Sequence, residues 1–177
     1  MSWKLPDLEK ISQIVFIVMC LVVTTVAVQR LTFAGSGRAG AKAPPIAEGT
    51  RLRLHGDLLP VNAQASLVLA LSTNCQFCTE SMGFYRQLAE LDVVRDGRLG
   101  LSVVSIQTPD QMREYLDGHR VPVGPIVLLR QSGVSIQGTP TVLLVRRDGV
   151  VGKSWAGQLT PDEEEDLVKA VRAAVSQ

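Results

Sequence analysis

The sequence has few of the residues that build metal centres or disulfide scaffolds. Among its 177 residues are only three cysteines and two histidines. A small secreted domain held together by disulfides needs more cysteines, in even number. The histidines, His55 and His119, have no H-x-x-x-H or second C-x-x-C around them, so their spacing to Cys75 and Cys78 matches no zinc module. We therefore expect no metal ion and no cofactor.

The chain also has almost no excess of positive over negative charge. The formal net charge is +1, and no long run of like charges occurs. Nucleic-acid binding usually needs a clustered basic face, so we expect no nucleic-acid partner. Hydrophobic residues make up 46% of the chain. That content and the length are enough for the core of one ordinary domain with a short appendage.

One long apolar segment lies near the N-terminus. Residues 11–28, ISQIVFIVMCLVVTTVAV, form a run of 18 residues without a charge. As a helix rising about 1.5 Å per residue, this run spans about 27 Å, close to the thickness of a bilayer core. It is longer than the usual core of a signal peptide, and Arg30 closes it, which favours an uncleaved anchor over a signal cleaved near 39–41. Cys20, in mid-span, is interpreted as a small apolar filler.

The segments around this run define the predicted organisation. Residues 1–10 are interpreted as a cytoplasmic tail, and 11–29 as a transmembrane helix in contact with the lipid bilayer. Residues 30–49 are rich in Gly, Ala, Ser and Pro, which is typical of a flexible tether. The remainder, 50–177, is the predicted soluble domain.

Hydrophobic periodicity predicts an α/β fold for this domain. Short continuous apolar runs are typical of strands buried on both faces, and a 3.6-residue spacing is typical of helices. The predicted strands are 51–54, 66–72, 101–106, 141–146 and 150–155, with a loop at Gly97 and Gly100, and the predicted helices are 75–91, 109–117 and 161–175. Alternating strands and helices imply parallel pairing, whereas the final hairpin implies antiparallel pairing, so the sheet is expected to be mixed.

A C-x-x-C motif, Cys75-Gln76-Phe77-Cys78, lies where strand 66–72 turns into a helix. A cysteine in the first helical turn faces free amide N–H groups and the positive end of the helix dipole, which favour its thiolate. This predicts Cys75 as the attacking nucleophile. Cys78, one turn deeper and within disulfide reach, is predicted to resolve the mixed disulfide. An ordinary buried disulfide or half of a metal site is the alternative for a C-x-x-C alone.

A second motif is Gly138-Thr139-Pro140-Thr141, at the start of strand 141–146. A proline that enters a central strand has no N–H for the ladder, so its position needs a special reason. A trans proline at a strand start is the common arrangement.

Together these motifs resemble the thioredoxin superfamily over about residues 47–177. The segments that carry the resemblance are STNCQFC at 72–78, GTPTVLLVRRDG at 138–149 and the closing helix at 161–175. The resemblance implies a thioredoxin-like three-layer fold with a central mixed sheet, preceded here by the transmembrane helix. The gap of 62 residues from Cys78 to Pro140 implies an inserted segment that includes parts of 107–136.

The resemblance also implies where substrates bind. In this superfamily a cis-proline lies beside the C-x-x-C, so the Thr139–Pro140 bond is expected to be cis. The backbone of Thr139 would then be available to an extended peptide. Protein disulfides are the implied substrates, and Thr139, Pro140, Gln76 and Phe77 are the residues expected to contact them.

The sequence departs from the superfamily's pattern at several positions. Thioredoxins usually have Trp before the first cysteine, where this chain has Asn74, and a buried acid in the preceding strand, where it has Leu69. Proline-containing relatives have Glu three residues after the second cysteine, where this chain has Ser81. Glu80 is interpreted as a solvated helix residue. The sequence therefore assigns no proton acceptor.

The tethered layout is similar to bacterial extracytoplasmic redoxins related to cytochrome c maturation proteins. That resemblance implies a thiol–disulfide oxidoreductase that reduces exported proteins with electrons from a membrane donor. A disulfide oxidase or isomerase with the same cysteines is the alternative, which the lack of a cation between the cysteines disfavours. Copper-handling relatives have C-x-x-x-C-P with a distant His, and peroxidase relatives have P-x-x-x-T/S-x-x-C; neither pattern is present.

The orientation of the chain in the membrane follows from this chemistry. Positive charges flank the predicted span almost equally, so the charge count does not decide which side is cytoplasmic. Structural disulfides are made and broken outside the cytoplasm. We therefore expect a single-pass protein of the cell membrane with its C-terminal domain extracytoplasmic.

Overall fold

The computed structural model describes residues 18–19, 42, 45–54 and 58–176. Except for residues 18–19, the predicted transmembrane segment 11–29 lies outside these residues, as do most of the predicted tether, Cys20 and His55. Among the residues described, no helix has both the length and the apolar composition needed to cross a bilayer. The elements below all belong to the unit Lys42–Gln177.

A five-stranded mixed sheet forms the centre of the fold. Its strands are β1 (Ala65–Leu71), β2 (Leu99–Ser105), β3 (Ile126–Leu128), β4 (Thr141–Arg146) and β5 (Val151–Ala156). They are arranged in the order β3-β2-β1-β4-β5. The pairs β1–β2 and β2–β3 are parallel, and the pairs β1–β4 and β4–β5 are antiparallel. The predicted mixed sheet is therefore confirmed.

β1 is buried along its whole length because it is the central strand and both faces of the sheet are covered. Successive side chains of a strand point to opposite faces. Leu67, Leu69 and Leu71 accordingly belong to the larger core cluster, and Val68 and Ala70 to the smaller one. The continuous apolar run thus serves two cores at once.

Most of the helices cover the face of the larger core. The helices of this unit are α1 (Gln76–Glu80), α2 (Met82–Ala89), α3 (Asp92–Arg95), α4 (Pro109–Gly118), α5 (Leu129–Ser132) and α6 (Pro161–Ala174), and all of them except α5 contribute residues to the larger core. α4 and α6 begin as predicted, because Thr108 and Thr160 cap them and a proline occupies the first helical position. The opposite face is covered by α5 and by irregular segments that contribute Ile46, Leu58 and Ile136.

The chain before β1 runs along the outer strand β5, but it does not form the strand predicted over 51–54. Arg51 pairs with Val150 in an isolated bridge, and the Leu52 N–H donates to the Gly149 carbonyl at 2.9 Å. The pairing ends there because Gly149, with a φ of +79°, lies in the turn that reverses the chain between β4 and β5. The prediction of a strand is wrong because residues beyond Leu52 have no strand backbone opposite them.

Three further boundaries differ from the predictions. The helix expected over 75–91 is divided at Ser81, which ends α1 and begins α2. β2 begins at Leu99, so Gly100 lies in a strand and not in a loop; a Cβ there would lie 2.5 Å from the Ser66 hydroxyl. β3 and α5 have only three and four residues, which is too short for a hydrophobic period to indicate them.

Candidate active site

The two cysteines of the C-x-x-C motif lie at the carboxyl end of β1. Cys75 is the N-cap residue of α1, with extended φ and ψ of −104° and 111°. Its sulfur accepts a hydrogen bond from the Cys78 N–H at 3.1 Å. An N-cap side chain normally supplies an oxygen for this purpose. The Cys75 sulfur therefore faces the free amide end of the helix, one position earlier than the predicted first turn.

The two thiols differ in their access to solvent. Both are free in this structure; Cys75 is partly exposed, and the side chain of Cys78 is fully buried. Cys78 belongs to the larger core cluster, and Cys75 packs against that cluster from its edge. A disulfide in solution can therefore reach Cys75 but not Cys78.

The loop that contains Pro140 lies against Cys75. The Cys75 Sγ donates to the Thr139 carbonyl at 3.3 Å, which brings together two motifs that are 64 residues apart. The Thr139–Pro140 peptide bond is cis. The loop is held from its other side by the Gly157 N–H, which donates to the Pro140 carbonyl at 2.7 Å.

Two exposed side chains border Cys75 on α1. Phe77 is 44% exposed, although it is a large hydrophobic residue. The Gln76 Nε2 donates to the Glu80 Oε1 at 2.8 Å. Glu80 is exposed, as predicted. The four residues predicted to contact substrate, Gln76, Phe77, Thr139 and Pro140, thus belong to the two segments that meet at Cys75.

Burial changes the chemistry of Cys78. Desolvation, together with the neighbouring Cys75, raises the pKa of Cys78 from the ordinary value of 9.0 to about 12. A hydrogen bond from the backbone at Ser72 acts in the opposite direction but is the smaller influence. Cys78 is therefore protonated at neutral pH in the reduced protein.

The stability of the reduced protein is expected to fall above about pH 9. Because the pKa of Cys78 is raised in the folded state, the folded chain holds this proton more tightly than the unfolded chain does. The resulting stabilisation is complete below about pH 9 and is lost as the pH approaches about 12. Burial also raises the pKa of Tyr85, which adds to the loss at high pH. Thermal unfolding of the reduced and the oxidised forms across this range measures the effect.

The oxidised form is the internal control for this prediction, since a disulfide-bonded Cys78 does not titrate. The melting temperature of the reduced form should decrease more steeply with pH than that of the oxidised form. A reduced Cys78→Ser variant should lose most of the extra slope. Parallel curves for the reduced and oxidised forms would contradict the raised pKa of Cys78.

Side chains before and within α4 connect to the C-x-x-C segment. The Gln107 Nε2 donates to the Ser72 hydroxyl at 3.2 Å, and the Tyr115 and Thr79 hydroxyls lie 2.7 Å apart. These contacts join the predicted insert to the turn before Cys75 and to α1. Sequence reasoning did not identify them, because a contact between residues 35 or 36 positions apart leaves no local pattern.

The region beneath the motif contains little polar material. Leu69 is fully buried, and the Ser81 hydroxyl donates to the Phe77 carbonyl at 2.8 Å. The hydroxyl of Tyr85 is buried and has no hydrogen-bond partner among the described residues. The sequence gives no sign of this unpaired hydroxyl, because helical spacing indicates only which residues face the core.

A metal site requires several ligand side chains that converge on one point. Within 42, 45–54 and 58–176, no three His, Cys, Asp or Glu side chains converge as metal ligands would. His119 lies at the C-cap of α4, where its ring is 4.8 Å from the ring of Tyr115.

The sheet order, the C-x-x-C at the start of the helix after the central strand and the Thr-Pro loop against the first cysteine define a thioredoxin-like fold. Solved structures of thioredoxin-like proteins have this fold, and the expected thioredoxin-like fold is confirmed. No protein-family model matches the sequence, and a search of curated proteins finds no match.

Solved structures show the same architecture. A thiol-disulfide isomerase from Corynebacterium glutamicum is 14% identical, with 76% of this chain and 97% of that chain covered and a TM-score of 0.51. A DsbF homologue from Corynebacterium diphtheriae is 13% identical, with coverage of 77% and 96% and a TM-score of 0.54. A hypothetical protein from Sinorhizobium meliloti 1021 is 19% identical, with coverage of 76% and 87% and a TM-score of 0.59.

Proposed function

We propose that this chain is a membrane-tethered thiol–disulfide oxidoreductase that reduces disulfides of exported proteins through Cys75 and Cys78. The observation that carries the proposal is the asymmetry of the pair. Cys75 is partly exposed at the N-cap of α1, and its sulfur accepts the Cys78 N–H, whereas Cys78 is fully buried behind it. One sulfur is thus accessible for attack, and the other is protected until a mixed disulfide has formed.

The geometry supports a two-step exchange. The Cys75 thiolate attacks one sulfur of a client disulfide, so that a Cys75–client bond forms and the other client sulfur leaves as a thiolate. Cys78 then loses its proton and attacks Cys75, which forms the Cys75–Cys78 disulfide and releases the second client thiolate. The client gains two electrons and the cysteine pair loses two. Protons from the Cys75 and Cys78 thiols balance the two client thiols.

The surroundings of Cys75 suit a protein client. The Thr139 carbonyl lies 3.3 Å from the Cys75 sulfur, so an extended client segment that pairs with the Thr139 backbone would place its own sulfur nearby. The exposed ring of Phe77, two residues after Cys75, offers an apolar contact. A thiol-disulfide isomerase from C. glutamicum has the same fold, which supports thiol–disulfide exchange as the class of reaction.

Two features favour reduction over oxidation. A strongly oxidising pair requires a stabilised reduced form, and a cation beside the thiolate is one way to provide it. The side chains between the cysteines, Gln76 and Phe77, carry no charge, and the nearest charged partner of Gln76 is the acidic Glu80. A reductase is left oxidised after each exchange and must be reduced again. The proposal therefore includes a membrane protein that supplies the electrons.

The tether is proposed from the sequence. The uncharged run at 11–28 is long enough to span a bilayer, and the segment 30–49 has the composition of a flexible linker. Anchoring an exchange domain beside the bilayer raises its effective concentration for membrane-bound donors and newly exported clients. In this arrangement residues 1–10 lie in the cytoplasm and the domain lies outside it.

One labelling experiment tests both the location and the direction of exchange. Intact cells that express the full-length chain are treated with a membrane-impermeant maleimide, without added reductant. We expect rapid labelling of Cys75, because an extracytoplasmic reductase is kept reduced by its donor. Buried, protonated Cys78 should react far more slowly, and a Cys75→Ser variant should remain essentially unlabelled.

Two other results would each contradict a defined part of the proposal. Labelling only after a reductant is added would place the domain outside the cytoplasm but indicate an oxidase. Labelling only after lysis would place the domain in the cytoplasm and overturn the proposed orientation.

A further inference from the structure

Tyr85 is a buried polar residue that the exchange mechanism leaves without a role. Its side chain is 1% exposed, and its hydroxyl has no hydrogen-bond partner among the described residues. Buried polar atoms are almost always paired, so an orphaned hydroxyl requires an explanation. A phenylalanine would fill nearly the same space without the cost of desolvating an unpaired hydroxyl. The presence of tyrosine therefore points to a use for its hydrogen.

Tyr85 lies on the same side of α1 and α2 as Cys78. It follows Cys78 by seven residues, which is about two helical turns, so the two side chains lie on the same side of α1 and α2. The backbone stays in the right-handed helical region at Ser81, and the Tyr85 N–H donates to the Ser81 carbonyl at 3.1 Å. Cys78 and Tyr85 both belong to the larger core cluster.

The groups around the Tyr85 hydroxyl include few alternatives to Cys78. After burial, the influences that raise the pKa of Tyr85 are the charges of Cys78, Cys75 and Glu164 of α6, with Cys78 the largest of the three. The Ser81 hydroxyl also acts on Tyr85 and lowers its pKa. It forms no hydrogen bond with the Tyr85 hydroxyl in this structure, and its own hydrogen is donated to the Phe77 carbonyl at 2.8 Å. Cys78 is thus the ionisable group that acts most strongly on this hydroxyl.

Resolution of the mixed disulfide creates an acceptor at Cys78. When Cys75 is bound to a client, Cys78 must become a thiolate in a buried site where desolvation opposes the charge. A neutral thiol is only a weak acceptor, whereas a thiolate is a strong one. In the part of the chain that the structure describes, no carboxylate is buried beneath the motif, where Leu69 occupies the strand position.

We propose that Tyr85 is a positioning residue for Cys78, whose hydroxyl turns its hydrogen towards the Cys78 sulfur and stabilises the thiolate that resolves the mixed disulfide. The inference rests on the proposed exchange function. In this step the Cys78 proton leaves, a Cys75–Cys78 bond forms and the client–Cys75 bond breaks, and the released client thiolate takes up a proton. Tyr85 keeps its own proton throughout, so it stabilises charge and is not the base.

A two-phase reaction separates this step from the first attack. The full-length chain, with Cys20→Ser in every variant so that two thiols remain, is reduced and mixed with dithiobis(nitrobenzoate). Attack by Cys75 releases one nitrothiobenzoate, and attack by Cys78 on the mixed disulfide releases the second. The rate of each phase is followed by absorbance as a function of pH.

The Tyr85→Phe variant should keep the rate of the first phase and slow the second about tenfold at neutral pH. The pKa of Cys78 should rise without the donor, so the pH midpoint of the second phase should move up. A tenfold slower rate corresponds to a rise of about one pH unit. Its thermal stability should equal or exceed that of the parent, because the unpaired hydroxyl is removed. A role in packing alone predicts reduced stability and an unchanged pH midpoint.

Matched variants keep the interpretation specific. Ser66→Ala removes the other buried hydroxyl that has no partner among the described residues. Ser66 points to the opposite face of β1 from Leu67, so this variant should leave both phases unchanged. Tyr115→Phe removes a tyrosine hydroxyl that is already paired with Thr79, and should not displace the midpoint of the second phase. Fluorotyrosine at position 85, a more acidic donor of nearly the same shape, should accelerate the second phase.

Different results would contradict the role of Tyr85 and the proposed exchange function. A second phase in Tyr85→Phe within twofold of the parent at every pH, or no response to fluorotyrosine, would overturn the role of Tyr85. The Cys78→Ser variant should release a single equivalent of nitrothiobenzoate. Rapid release of two equivalents by that variant would overturn the proposed function itself.

Discussion

The Cys78→Ser variant is expected to accumulate stable mixed disulfides with its clients. Cys75 remains partly exposed and can attack, whereas the buried thiol that would release the client is gone. The Cys75→Ser variant should form no mixed disulfides and should lose exchange activity altogether. Non-reducing electrophoresis of cells that express the full-length chain, followed by mass spectrometry of the trapped partners, measures both.

The two serine variants control for each other, since each retains one thiol of the pair. The adducts of Cys78→Ser should disappear on reduction and should also be absent from the double variant. Trapping by Cys75→Ser with no trapping by Cys78→Ser would reverse the assignment of nucleophile and resolving cysteine. The exposure of Cys75 and the complete burial of Cys78 predict the opposite.

The Leu69→Ala variant should lose about 2 to 5 kcal/mol of unfolding free energy, the range for truncating a buried leucine. Leu69 is fully buried in the central strand, opposite Val103 of β2 and Val142 of β4. Both neighbouring strands restrict the backbone, so the cavity left by the side chain cannot collapse completely. Because Leu69 shares the larger core with Cys78, the support beneath the motif should weaken as well.

Denaturant unfolding of the reduced protein, followed by the fluorescence of buried Trp155, measures this loss. The control is Val61→Ala, a truncation at a site that is 79% exposed, which should change the free energy of unfolding by less than about 0.5 kcal/mol. Equal stability of Leu69→Ala and Val61→Ala would contradict the packing described for β1.

Much of the fold could be predicted because its central elements have strong local patterns. β1 is a continuous apolar run, and α4 and α6 each begin with a threonine cap followed by proline. β3 was missed because three residues that pair only with β2 carry no periodic signal. The prediction of a strand at 51–54 was wrong for a related reason. Whether these residues form a strand depends on how far β5 extends beside them, and their own sequence carries no information about that.

The site was predictable only where residues lie close in sequence. The C-x-x-C and the Gly138-Thr139-Pro140-Thr141 segment are local motifs, and the structure brings them together at 3.3 Å. The contact between Tyr115 and Thr79 depends on packing between segments that are distant in sequence. The unpaired hydroxyl of Tyr85 depends on the absence of a partner around it. Neither property has a sequence pattern.

The most direct test of the central claim is the equilibrium of the cysteine pair with glutathione. The full-length chain is brought to equilibrium in buffers with different ratios of reduced to oxidised glutathione, quenched by alkylation and mapped by mass spectrometry. We expect one two-electron transition, in which Cys75 and Cys78 become linked to each other by a disulfide. Cysteines that stay free, or that take up glutathione separately without ever becoming linked, would contradict it.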